Sequence, residues 1–260
     1  MDSSKPTPVK LNLKRPYKWT VFRQIRLLSS HRRTARSDRT LAIMLAFVAG
    51  SANAGGFILF GSYTSHMTGY LSQEADQLVL RNYVLALTAI FAIGLFTFGA
   101  AVSAVAINWA RGYQPRLQYI LPLALQGFGF LLFSLIGRSE NYSGSDHLVG
   151  LGLLCFLMGF QNATITKISQ SRIRTTHVTG MVTDVGIELG RFVFNYLFER
   201  PRISADRQKL FLLLQLLGMF FFGGVIGAFG YGLIGLNFST GIGLLLLFTA
   251  FVPIVFMKRK

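Results

Sequence analysis

The sequence predicts an all-α membrane protein of six transmembrane helices, built as two inverted three-helix repeats with a broken or re-entrant segment after helices 1 and 4. Three observations carry this. The chain of 260 residues is 52% apolar and only 14% charged, outside the balance of soluble domains. Several apolar runs of about 18 or more residues match the hydrocarbon thickness of a bilayer. Finally, three short motifs of the first half recur in the same order in the second.

Residues 1–38 read as a basic cytoplasmic tail. Pro6, Pro8 and scattered Lys give 1–15 the composition of a disordered segment. Over 17–28, Trp19, Phe22, Ile25 and Leu28 recur at helical spacing among Lys18, Arg23 and Arg26. That fits an amphipathic helix on an anionic leaflet, and equally a solvated basic tail. Residues 31–39 form a polybasic collar. No cleavable signal peptide is expected, because the first apolar run starts near Leu41, behind a long basic segment.

The membrane domain covers 39–257, with repeat one at about 41–137 and repeat two at about 148–257. Span 1 is 41–60, where Gly50, Asn53, Gly55 and Gly56 interrupt the apolar run. Span 2 is 79–109, rich in Gly and Ala, which let helices approach closely in lipid. Span 3 is 117–136, carrying Pro122 and Gln126; span 4 is 148–168; span 5 is 210–233; span 6 is 241–256. Cys155 lies inside span 4 as a filler; a lone cysteine excludes an internal disulfide and a multi-cysteine metal site.

Charge sets the orientation. The formal net charge is +16, and eleven of the 26 Lys and Arg fall in the first 39 residues. No nucleic-acid motif accompanies that charge, so no nucleic-acid partner is expected. With both termini cytoplasmic, the tail, Arg111, Arg116, residues 167–209 and Lys258 to Lys260 all lie inside. Outside fall Glu74, Asp76, the loop 138–146 and the turn near Asn237. Six spans satisfy the positive-inside rule; an odd number would not.

The repeat is legible in three pairs. Gly50 to Ala54 and Gly159 to Ala163 share G-x-x-N-A. His66 to Gly69 and His177 to Gly180 share H-x-T-G. Gly94 to Ala100 and Gly218 to Gly224 share G-x-F-x-F-G-small. The offsets grow from 109 to 111 to 124, which small insertions explain. Three spans per copy is odd, so the second copy inserts upside down, an arrangement typical of transporters. The G-x-x-N-A segments are the expected helix breaks, since Gly tolerates unwound backbone and Asn can satisfy its freed groups. Alternatively, Asn53 and Asn162 only bond neighbouring helices.

After the second break a helix is expected over 176–198, either dipping into the membrane or lying on it. His177, Asp184, Glu188, Arg191 and Asn195 share one of its faces. Within the bilayer each unpaired charge would cost on the order of 3 kcal/mol, and Glu188 with Arg191 is the expected pair. Two carboxylates as close as Asp184 and Glu188 would raise one pKa, making that group a proton carrier. Copy one has Gln73 and Gln77 at the matching positions.

G-x-x-N-A followed by Met67, Thr68 and Gly69, together with G-F-Q-N-A followed by T-T-H-V-T-G, resembles the YoaK-like integral membrane proteins, a domain of unknown function. The resemblance covers about residues 38–257. It implies a six-span, multi-pass protein of the bacterial inner membrane and supplies no substrate. Asn53 and Tyr70 stand where that family often has Asp and Asn, so an acid-dependent role at the first break is not implied.

These features point to a small secondary transporter of an unidentified small solute, working by alternating access at the repeat interface with proton coupling. In it Asn53, Gln161, Asn162, His66 and His177 bind substrate or ion. Asp184 and Glu188 carry protons, and Arg191 holds a carboxylate in place. The alternative is a structural or signalling inner-membrane protein that does not transport and whose tail binds lipid or a partner. An enzyme is not expected, for G-x-S-x-G and H-E-x-x-H are missing and the four histidines form no close pair. Neither cofactor nor metal is expected. The lipid bilayer is the expected partner. A six-span unit is half the size of a twelve-span transporter, which makes a homodimer an expectation.

Overall fold

The computed structural model describes residues 35–136, 144–169, 175–198 and 204–257. The expected amphipathic tail, the loop after residue 136, Arg172, Arg174, Arg200, Arg202 and Lys258 to Lys260 lie outside the described residues.

Regular structure among the described residues is entirely helical. The helices are α1 (Ala35–Phe60), α2 (Met67–Val79), α3 (Tyr83–Tyr113), α4 (Ile120–Ile136), α5 (Gly144–Ile168), α6 (Val178–Leu197), α7 (Arg207–Ile234) and α8 (Phe238–Met257). Among the described residues, four stretches are long and apolar enough to cross a membrane: Ser37–Phe60, Tyr83–Tyr113, His147–Ile168 and Arg207–Val252. The last includes both α7 and α8, separated at Gly235, whose φ of 56° turns the chain. Helix α4 is apolar but shorter, at 17 residues. Exposed apolar side chains such as Leu87, Phe98, Val105, Phe221, Phe222 and Phe229 cover the outer faces, as a protein surrounded by lipid requires. This is a helical, multi-pass membrane protein.

The expected breaks lie elsewhere. Helix α1 runs without interruption through Gly50, Asn53, Gly55 and Gly56, and α5 through Gly159 to Ala163. Helix α1 ends at Phe60, just before Gly61 with its φ of 68°, and α5 ends at Ile168, each beyond its motif. The motif glycines bring helices together instead. A side chain on Gly50 would overlap the carbonyl oxygen of Phe220 in α7, and one on Gly223 that of Phe47 in α1. Likewise Gly159 of α5 abuts the carbonyl of Phe96 in α3, and Gly99 that of Phe156. In lipid such close backbone contact replaces the missing hydrophobic drive for association.

These contacts fall at matched positions. Phe47 and Gly50 correspond to Phe156 and Gly159, while Phe96 and Gly99 correspond to Phe220 and Gly223. Helix directions follow from the pairs. Phe47, Ser51 and Gly55 meet Gly223, Gly227 and Tyr231 in turn, so α1 and α7 run parallel. Phe91, Phe96 and Ser103 meet Gly152, Gly159 and Thr164, so α3 and α5 also run parallel. Gly127 meets Leu247, Gly243 meets Leu131, and Ser134 bonds Thr240 at 2.7 Å, so α4 and α8 are antiparallel. One continuous core joins the pairs through Leu45, Leu123, Phe130, Leu154, Met158, Leu216 and Leu246. Cys155 is buried with Tyr70, Ala89 and Leu151 as packing.

Candidate functional site

Each half folds a short loop back onto its first helix, and Asn holds it there. Asn53 Oδ1 accepts from the Ser65 backbone N–H at 2.9 Å, the Ser65 hydroxyl at 3.0 Å and the Thr64 hydroxyl at 3.1 Å, while Nδ2 donates to Ser65 Oγ at 2.8 Å. In the second half Asn162 Nδ2 donates to the Thr176 hydroxyl, at the position matching Ser65. There the other amide atom, Oδ1, is buried with no hydrogen-bond partner. Thr64 and Thr175, which match, are both fully buried.

The loops lead into α2 and α6, and the H-x-T-G motif builds the start of each helix. His66 and His177 are the N-cap residues, yet neither side chain makes a capping bond. Each ring lies over the first turn, where a side chain on Gly69 or Gly180 would overlap it. This close approach is what the glycine is for. The first-turn N–H groups of both helices are thus left without a side-chain cap.

The two helix starts open on one cavity of about 740 Å³. Its walls come from both halves: Ser65, His66 and Thr68 from one side, Thr176, His177, Thr179, Thr183 and Asp184 from the other. Phe96 of α3, Asn162 of α5, and Lys209, Leu212 and Leu216 of α7 complete them. A smaller recess of about 290 Å³ is lined by Gly61, Tyr63, His66, Gly69 and Gln73. His66, Gly69 and Gln73 there match His177, Gly180 and Asp184 in the larger cavity.

The charged face of α6 divides in two. Glu188 is fully buried; its Oε1 receives Arg191 Nη1 at 2.9 Å, and its Oε2 accepts from the Asp206 backbone N–H at 3.0 Å. Asp206 in turn caps α7, accepting from the N–H groups of Gln208 and Lys209 at 2.9 Å. Glu188 therefore ties α6 to the start of α7. Asp184, in contrast, is 43% exposed and lies 3.5 Å from Lys209 Nζ, which is itself 3.8 Å from Glu188 Oε1.

The expected site residues part company here. Asn162, His66, His177 and Asp184 line the cavity; Asn53, Gln161, Glu188 and Arg191 do not. Asn53 is occupied by its loop. Gln161 is fully buried, donating to Leu45 O at 2.7 Å and to Thr175 at 3.4 Å and accepting from Gln126. The expected Glu188–Arg191 pair is present. Lys209 stands within ion-pair range of both Asp184 and Glu188. Lys209 is the residue that the sequence did not single out, since its partners lie across the loop that joins α6 to α7. Among the described residues no group of three His, Cys, Asp or Glu is set to hold a metal ion.

A family model described as a protein of unknown function, DUF1275, matches residues 41–252, in line with the YoaK-like resemblance. No curated protein and no solved structure matches the chain.

Proposed function

As the chain belongs to the DUF1275 family, whose description assigns no function, the reading rests on the site, and we propose a small secondary transporter working by alternating access. The observation that carries this is the cavity of about 740 Å³ walled by matched H-x-T-G segments of both halves. Transporters built from inverted repeats place their solute at such a junction, between short helices that begin at the centre.

We read the architecture as six crossings in two inverted repeats: α1, α3 and α4, then α5, α7 and α8. The pair directions support it, for alternating crossings make first and fifth parallel, second and fourth parallel, and third and sixth antiparallel. Helix α4, with 17 residues and roughly 26 Å of length, is a little short of a bilayer core of about 30 Å, and its largely buried surface lets neighbours cover the difference. The basic N-terminal segment puts the start of α1, and so the start of parallel α7, in the cytoplasm of a bacterial inner membrane. The larger cavity reaches Lys209 at that end and the smaller recess lies in the other half. Interchange of the two is the alternating step, and a homodimer is the proposed assembly.

Within this reading Asp184, exposed to the cavity beside Lys209, is the proton-coupling group. Glu188 and Arg191 hold the helix that carries it. Proteoliposomes loaded with the full chain should take up a solute when a pH gradient is imposed, and Asp184→Asn should uncouple that uptake from the gradient. Uptake of no solute by the wild-type chain, with function in cells lost only on deleting residues 1–38, would point to the structural or signalling role.

A further inference from the structure

We propose that the cavity binds a small anion, held by the Lys209 ammonium together with the first turns of α2 and α6, and that Asp184 is the internal competitor which the anion displaces. The anion is the transported solute if the transporter reading holds; the binding site stands without it.

Lys209 is the starting point. Glu188 already has Arg191 at 2.9 Å and the Asp206 N–H at 3.0 Å, so it does not need the lysine. Lys209 keeps 3.8 Å from Glu188 and 3.5 Å from Asp184. Both members of the Lys209–Asp184 pair are exposed by more than two fifths, at 42% and 43%, and both line the cavity. A long, half-solvated pair of this kind is weak. A solute with its own negative charge can take the ammonium and leave Asp184 to water.

The helix starts on the wall favour the same sign. Asp184 is the single acid among the described residues that line the cavity. Facing it are two imidazoles, several hydroxyls, and two helix starts whose N–H groups have no side-chain cap. Helix N-termini carry partial positive charge, and two of them converge here. The anion's preference for the second half follows from Gln73, which replaces Asp184 in the first half and has no matching lysine beside it among the lining residues.

The test uses the full chain purified in detergent. Chloride, sulfate, phosphate and succinate are titrated calorimetrically, with potassium and tetraethylammonium as the cationic arm. At least one anion should bind saturably. Lys209→Gln should weaken it tenfold or more, while Asp184→Asn should tighten it severalfold by removing the competitor. Lys209→Arg, which keeps the charge, should retain binding and guards against a folding defect. Saturable binding of no anion, or anion binding indifferent to Lys209→Gln, overturns the proposal. So does cation binding that Asp184→Asn abolishes. Flux in vesicles separates the two readings: anion binding without flux leaves this site standing and removes the transporter, whereas flux of a cation does the reverse.

Discussion

Asn53 and Asn162 occupy equivalent places and have come to do different work. Asn53 makes four hydrogen bonds to Thr64 and Ser65, so it clips the loop after α1 to the helix it has just left. Removing it strands several partly buried donors and acceptors, each worth roughly 1–3 kcal/mol when left unpaired. Asn53→Ala should therefore lower the thermal midpoint of the purified chain clearly. Asn162→Ala, which loses a single bond to Thr176, should lower it by less while altering solute binding, and unfolding scans with and without ligand would separate the two effects. A similar division holds on α6. Glu188→Ala removes a fully buried carboxylate from the half-exposed Arg191 and from the Asp206 N–H, a loss of roughly 1–3 kcal/mol. Asp184→Asn, at a half-exposed position, should leave the midpoint nearly unchanged. Midpoints that fall equally for the two variants would mean that Glu188 does not brace α6 against α7.

At the level of the helices, glycine decides which faces meet. Gly50, Gly99, Gly159 and Gly223 each stand where a side chain would strike a backbone carbonyl of the partner helix. No rotamer change can relieve a clash with backbone. Leu at any of the four should separate α1 from α7, or α3 from α5, and reduce the folded yield in size-exclusion profiles. Gly94 and Gly112 in α3 meet nothing within reach, and Ala there should be neutral or stabilise by up to about 1 kcal/mol, through helix propensity alone. The same residues explain what was legible in advance. Apolar run lengths place the long helices to within a few residues, and the three motif pairs pick out the residues that later prove to pack in matched ways. What the motif could not say is whether a glycine unwinds a helix or admits a neighbour. Both uses need a missing side chain, and only the position of Phe220 or Phe96 decides between them. Lys209 stayed hidden for a related reason: its partners, Asp184 and Glu188, lie on the preceding helix, and no local spacing predicts a contact across a loop.

For the whole molecule, the matched halves are not in matched states. The recess beside His66, Gly69 and Gln73 holds about 290 Å³, and the cavity beside His177, Gly180 and Asp184 about 740 Å³. If the halves are alternative settings of one design, the volumes should exchange during transport, the cavity closing at α6 as the recess opens at α2. Single cysteines report this directly. Cys155 is fully buried, so a Cys155→Ser background leaves the chain without a thiol of its own. Thr183→Cys, on the wall of the large cavity, should react quickly with a membrane-impermeant thiol reagent in inverted vesicles. Gln73→Cys, in the recess, should react slowly in right-side-out vesicles. Addition of the transported solute with its driving gradient should slow the first and speed the second, because each conformation that exposes one half must cover the other. Rates that stay fixed at both positions while solute is moving would show that the two halves do not interchange, and the path would then have to run through a channel open at both ends.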